Sequence, residues 1–156
     1  MSLTSNVNEK ANLIWAIADK LTGVYKPHEY GKVILPFTVV RRFDCILAKT
    51  KKAVLKKNES MPKDMPMKND FLKKVSGYNF YNTSKYTFET LLNDSNNIEA
   101  NFRNYINGFS ENVSQIIEKF KFDNEIQTLA DKNLLYIVYK NLLHPKQIYI
   151  QIKFLI

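Results

Sequence analysis

The sequence predicts an all-α domain, on three observations. Apolar residues recur at helical spacing through most of the 156 residues. Only 4 glycines and 5 prolines interrupt them, which suits long regular elements better than a many-stranded barrel. Candidate caps precede the apolar stripes and candidate stops follow them, dividing the chain into helix-length segments. A composition of 45% hydrophobic and 13% aromatic residues is that of a folded chain, and the length suits one domain with its own core.

The first predicted helix has Asn6 and Glu9 at capping-box spacing. Ala11, Ile14, Ala18 and Leu21 lie on one face, widened by Leu13 and Ile17, and Gly23 stands where helices end left-handed. Trp15 is expected as a core anchor, the usual place of a lone tryptophan. Pro27 suits the first position of a second helix. The stretch 33-VILPFTVVRRFD-44 poses a conflict, because its β-branched density favours a strand while Pro36 opposes a central one. Val33, Phe37, Val40, Phe43 and Leu47 continue at helical spacing to a length no ordinary strand reaches, which favours a helix. Pro36 would remove its amide from the bond to the Lys32 carbonyl and kink that helix.

The next segments, 49-KTKKAVLKKNES-60 and 61-MPKDMPMKND-70, read as a surface linker, on their lysines and on Pro62 and Pro66. A short helix is expected around Phe71–Val75, then an irregular stretch. Phe88, Leu91 and Leu92 form a small apolar face ended by 93-NDSNN-97, and Ile98, Phe102, Tyr105 and Ile106 form another stopped at Gly108. Ser110 takes an N-cap position before Val113, Ile116, Ile117 and Phe120, the cleanest helical stripe in the chain. Asp123 is expected to cap a helix carrying Ile126 and Leu129, and Leu134, Leu135, Val138 and Leu142 carry the last one. In 146-KQIYIQIKFLI-156 the period changes to that of a strand, so this tail reads as atypical of the helical domain at 1–145.

Charge is distributed unevenly. The net charge of +8 arises in residues 1–78, with 15 Lys and Arg against 7 Asp and Glu, while residues 79–156 carry 8 of each. A one-sided basic surface suits a polyanionic partner, although lysines also simply solubilise. Arg41, Arg42, Lys49, Lys51, Lys52, Lys56 and Lys57 are the candidate DNA contacts, able to meet phosphates without reading bases. Arg41 and Arg42 read equally as partners of nearby acids. The run 78-YNFYNTSKY-86 could stack on bases, but its aromatics fit a core better.

Other chemistry finds little support. His28, His144 and Cys45 are the only His and Cys residues, and no pair has metal-ligand spacing. The 4 glycines are isolated, so no phosphate-binding loop is readable, and no catalytic or cofactor-binding residue can be assigned. One cysteine permits no internal disulfide, which together with the absence of a signal-like N-terminus fits a cytoplasmic protein. No window approaches the roughly 18 apolar residues of a membrane helix.

The run 13-LIWAIADKLTGVYKPHEYGKVILPFTVVRRFDCIL-47 resembles the N-terminal segment of HsdM, the modification subunit of type I restriction-modification systems. The likeness continues through 80-FYNTSKYTFETLLNDSNNIEANFRNYINGFSENVSQIIEKFKFDNEI-126 and 134-LLYIVYK-140. Its most specific parts are the patterns ADKLxG, EYGKVILPF and NNIxxNxxxYINGFS. The resemblance implies a multi-helix domain preceding a catalytic one, with the Pro36 stretch helical. It implies a subunit that transfers a methyl group from S-adenosylmethionine to adenine N6 in DNA, assembling with further M subunits and a target-reading S subunit. That family's cofactor loop and Asn-Pro-Pro-Tyr/Phe loop are not found in these residues, so no catalytic role carries over. The expected function is therefore a DNA-clamp and subunit-assembly domain, inactive alone, in a shortened or frameshifted subunit. The alternative is a stand-alone helical module that binds protein and contacts no DNA.

Overall fold

A computed structural model describes Trp15 and residues 17–143. Helices account for most of the described residues: α1 (residues 17–21, with Trp15 also helical), α2 (Tyr30–Leu47), α3 (Lys51–Ser60), α4 (Lys68–Ser76), α5 (Phe88–Leu91), α6 (Ile98–Asn107), α7 (Glu111–Lys119), α8 (Phe122–Asp131) and α9 (Leu135–Leu143). Short 3-10 turns occupy Pro27–Glu29 and Ser95–Asn97. No strand forms among the described residues, and the only extended pairings there are two isolated bridges, so the fold is all-α as the periodicity predicts. The Asn6–Glu9 capping box and the 146–156 tail lie outside the described residues.

The chain divides into two compact units. One comprises residues 1–42 and 121–156, and the other Phe43–Phe120. In the first, α1 ends at Gly23, whose φ of 91° is the left-handed value that glycine adopts without strain. Pro27 then opens the 3-10 turn at its first position. Val33, Phe37 and Val40 of α2 are fully buried, and the helix runs unbroken through Pro36. The buried apolar face of Val33, Phe37, Val40 and Leu47 outweighs the lost amide and the β-branched local preference. The Phe37 ring meets Phe122 of α8 edge-to-face, with centroids 4.8 Å apart at 86°. Ile126 and Leu129 of α8 and Leu135, Val138 and Tyr139 of α9 complete this core.

Two expectations in this unit need correction. Trp15 is 72% exposed rather than a core anchor. At about 100° per residue it sits across the helix from Ile17, and Ile17 takes the inward position. Asp123 does not cap α8. The helix starts one residue earlier, at Phe122, after Lys121 in a left-handed conformation, and Asp123 lies in the first turn. There its charge still complements the helix dipole. Tyr25 donates a 2.7 Å hydrogen bond to Glu125 Oε2, and burial together with that carboxylate holds the phenol well above its ordinary pKa.

In the second unit the segment read as a linker is largely helix. Residues Lys51–Ser60 form α3, because Val54 turns inward and pairs with Met61 and with Leu72 of α4. Lysine is a good helix former, so a lysine-rich segment with one apolar contact face folds once α4 covers it. Gly77, at φ 80°, ends α4. A second apolar centre joins Phe88 and Leu91 of α5 to Ile98, Phe102 and Tyr105 of α6, and to Phe109, Val113 and Ile117. Its rings pack mostly edge-to-face, Tyr105 and Phe109 at 5.2 Å and Phe88 and Tyr105 at 5.9 Å. The α7 stripe is only half inward: Val113 and Ile117 are buried, while Ile116 and Phe120 are 42% and 37% exposed. Ser110 takes the predicted N-cap position. Its backbone carbonyl accepts from Val113 and Ser114, but its hydroxyl donates to Asn112 instead of capping the helix.

Candidate nucleic-acid interface

The basic residues singled out in the sequence fall into both units. Arg41 and Arg42 are half-buried on α2, in the first unit, and the lysines from 49 to 57 are in the second. Within the second unit the charge concentrates on the α3–α4 hairpin, where residues 49–76 hold nine lysines against three acids. Thr50, just before α3, donates its hydroxyl to the Ser76 carbonyl at the end of α4 over 2.9 Å, tying the open ends of the hairpin together. Lys49, Lys52, Lys56 and Lys57 are exposed. Lys52 and Lys56 stand one turn apart on the same helical face. The Lys57 ammonium lies 5.7 Å from the Phe71 ring centroid of α4, a cation–π contact that still leaves it in solvent.

Lys51 departs from this set. The surface expectation is corrected: only 7% of the residue is exposed, because its position on α3 turns the side chain inward beside Val54. Its ammonium donates to Asn82 Oδ1 over 2.7 Å and lies 5.6 Å from the Tyr105 ring centroid. Burial lowers the lysine pKa to about 8, while the charge of Asp44 pulls it back up. Asn82 is the hub of the arrangement. Its Oδ1 also accepts from the Ser84 amide at 2.8 Å, and its Nδ2 donates to the Tyr105 carbonyl at 2.8 Å. The Tyr105 hydroxyl donates to Asp44 Oδ1 at 3.0 Å, and the Phe88 amide donates to the same oxygen at 3.2 Å. Lys51 is therefore a structural cation, which stitches α3 to the extended 81–84 segment and, through Asn82, to α6.

The run 78-YNFYNTSKY-86 divides the same way. Phe80 packs against Phe43 with centroids 4.9 Å apart, whereas Tyr78 is 48% exposed. The segment is strapped to the end of α6 by the Asn82–Phe109 bridge, by Thr83 N–H donating to the Gly108 carbonyl at 2.8 Å, and by Ser110 N–H donating to the Tyr81 carbonyl at 3.0 Å. Gly108 is required for this approach, since a Cβ there would stand 2.6 Å from the Ser84 nitrogen. The strap also shapes two open grooves of about 440 and 380 Å3, which share Thr83, Asn107 and Gly108. Asn58, Lys68, Asn69 and Tyr81 line the first, and Lys85 and Asn104 the second.

Of the groove residues, Tyr81, Thr83, Ser84 and Lys85 belong to the 78–86 run, read from the sequence for base stacking alone, whereas Asn58, Asn69, Asn104 and Asn107 carried no site reading. The signal for the α6 end of the grooves was the NNIxxNxxxYINGFS pattern, which ends on Asn107, Gly108, Phe109 and Ser110. Among the described residues no group of three or more His, Cys, Asp or Glu side chains could hold a metal ion, and no helix is long and apolar enough to cross a membrane.

Fold and surface together define an all-helical domain that presents a lysine-rich hairpin. Its family is shown by sequence: the chain belongs to the HsdM N-terminal domain family, which it matches over residues 10–142. It is accordingly a region of a type I restriction-modification methyltransferase subunit. No curated protein and no solved structure matches the chain.

Proposed function

We propose that this helical region holds duplex DNA by its phosphates and takes part in assembling the modification complex. The supporting observation is the α3–α4 hairpin, nine lysines against three acids, with Lys49, Lys52, Lys56 and Lys57 exposed. Such a surface gives affinity without sequence preference, because phosphate contacts position a protein while base contacts specify its target. The division of labour in a complex follows: target reading belongs to an S subunit, and methyl transfer from S-adenosylmethionine belongs to the catalytic part of the M subunit. On this reading the region has no activity alone and works in the cytoplasm, where the DNA lies.

The test is a salt titration of binding to an unrelated labelled duplex. Affinity should fall by about 0.9 log units per log unit of salt for each phosphate neutralised. Replacing Lys49, Lys52 and Lys56 together by alanine should lower both the affinity and that slope by about three phosphates' worth. Unchanged binding would remove the hairpin from the interface.

A second reading rests on the exposed Ile116 of α7 and Phe120 at its C-terminal cap and makes the region a protein-binding module with no DNA contact. Binding of recombinant M or S subunits that is lost in I116S/F120S, with no duplex binding by the wild type, would favour it.

A further inference from the structure

Within the DNA-binding reading, on which this inference rests, we propose that one strand's sugar–phosphate edge runs along the adjoining polar grooves, here called the trough, lined by Thr83, Asn107 and Gly108. Three features of the site support this. The two grooves adjoin, since both are lined by these residues. Its lining offers the carboxamides of Asn58, Asn69, Asn104 and Asn107, whose N–H groups can donate to phosphate and sugar oxygens, while the hydroxyls of Tyr81, Thr83, Ser84 and Ser110 donate within the protein. Each groove has a lysine, Lys68 in one and Lys85 in the other.

The trough also borders the basic hairpin, since Asn58 of α3 and Lys68 and Asn69 of α4 line it. Lysines on the hairpin then supply long-range attraction, and the trough fixes the strand's line. Glu111, in the first groove, marks a stretch of that wall where a phosphate is disfavoured. This sets the polarity of the path: the closest phosphate contact lies at the Thr83–Lys85 end.

The discriminating variant is N107D, which puts a negative charge in the trough at an exposed position. It is compared with N96D, which adds the same charge on the exposed Ser95–Asn97 turn, outside the lining. Duplex affinity is measured by anisotropy at fixed salt, with circular dichroism to confirm folding. N107D should weaken binding about fivefold or more, as expected for like charges a few ångströms apart, while N96D changes it by less than about twofold. K85A should lower the salt slope by about 0.9. Equal losses in N107D and N96D, or no loss in N107D with an unchanged slope in K85A, would overturn the trough while leaving DNA binding standing. Wild-type protein that binds no duplex would overturn both.

Discussion

Replacing Lys51 by methionine tests the buried polar hub directly. The substitution keeps the length of the aliphatic stem and removes the charge. Asn82 Oδ1 retains the Ser84 amide as a donor, and Asp44 retains the Tyr105 hydroxyl and the Phe88 amide. In the folded protein burial lowers the Lys51 pKa from 10.5 to about 8. Below pH 8 the group is charged in both states, and folding carries the full cost of burying it. Between about pH 8 and 10.5 the unfolded chain binds more protons than the folded one, so stability rises with pH. From pH 7 to pH 10 that rise integrates to roughly 2 to 3 kcal/mol. The assay is urea unfolding followed by far-ultraviolet circular dichroism, at pH steps from 7 to 10, on wild type and K51M. Other lysines and Tyr25, whose phenol is held high, titrate in both proteins and cancel in the difference. The wild-type curve should climb relative to K51M by roughly 2 to 3 kcal/mol across the window. Parallel curves would refute the reasoning, by showing that the ammonium keeps enough water or partners to titrate normally.

Two further outcomes follow from the geometry. Gly108→Ala forces a Cβ to within 2.6 Å of the Ser84 nitrogen, so it should destabilise the strap by about 2 kcal/mol, measured as a lower urea midpoint. Trp15 is the single tryptophan and 72% exposed, so its fluorescence should be red-shifted and readily quenched by iodide in the native protein. A blue-shifted, protected emission would place it in an interior after all.

Much of the fold was legible because helical periodicity is local. Val33, Phe37, Val40 and Leu47 announce one buried face, and all four are buried, even with Pro36 between them. Gly23 and Pro27 likewise mark a stop and a start by their own backbone limits. The candidate interface was less legible. A run of lysines states the net charge but not which side chains point outward, so Lys51 looked identical to Lys52.

By itself, then, the sequence determined the helical class, the placing of most helices, the excess of positive charge and the family, since these depend on neighbours a few residues apart or on long matching patterns. Tertiary structure alone decided that residues 51–60 are helix, because only the cover of Val54 by Leu72 of α4 makes that segment worth ordering. It alone turned Lys51 into a buried strut and left Ile116 and Phe120 outside. The same holds for Thr83, Asn107 and Gly108, which line shared grooves only when the 81–84 segment is bonded across to the end of α6. Burial and hydrogen-bond partnership are properties of pairs brought together from distant parts of the chain, and no local pattern carries them.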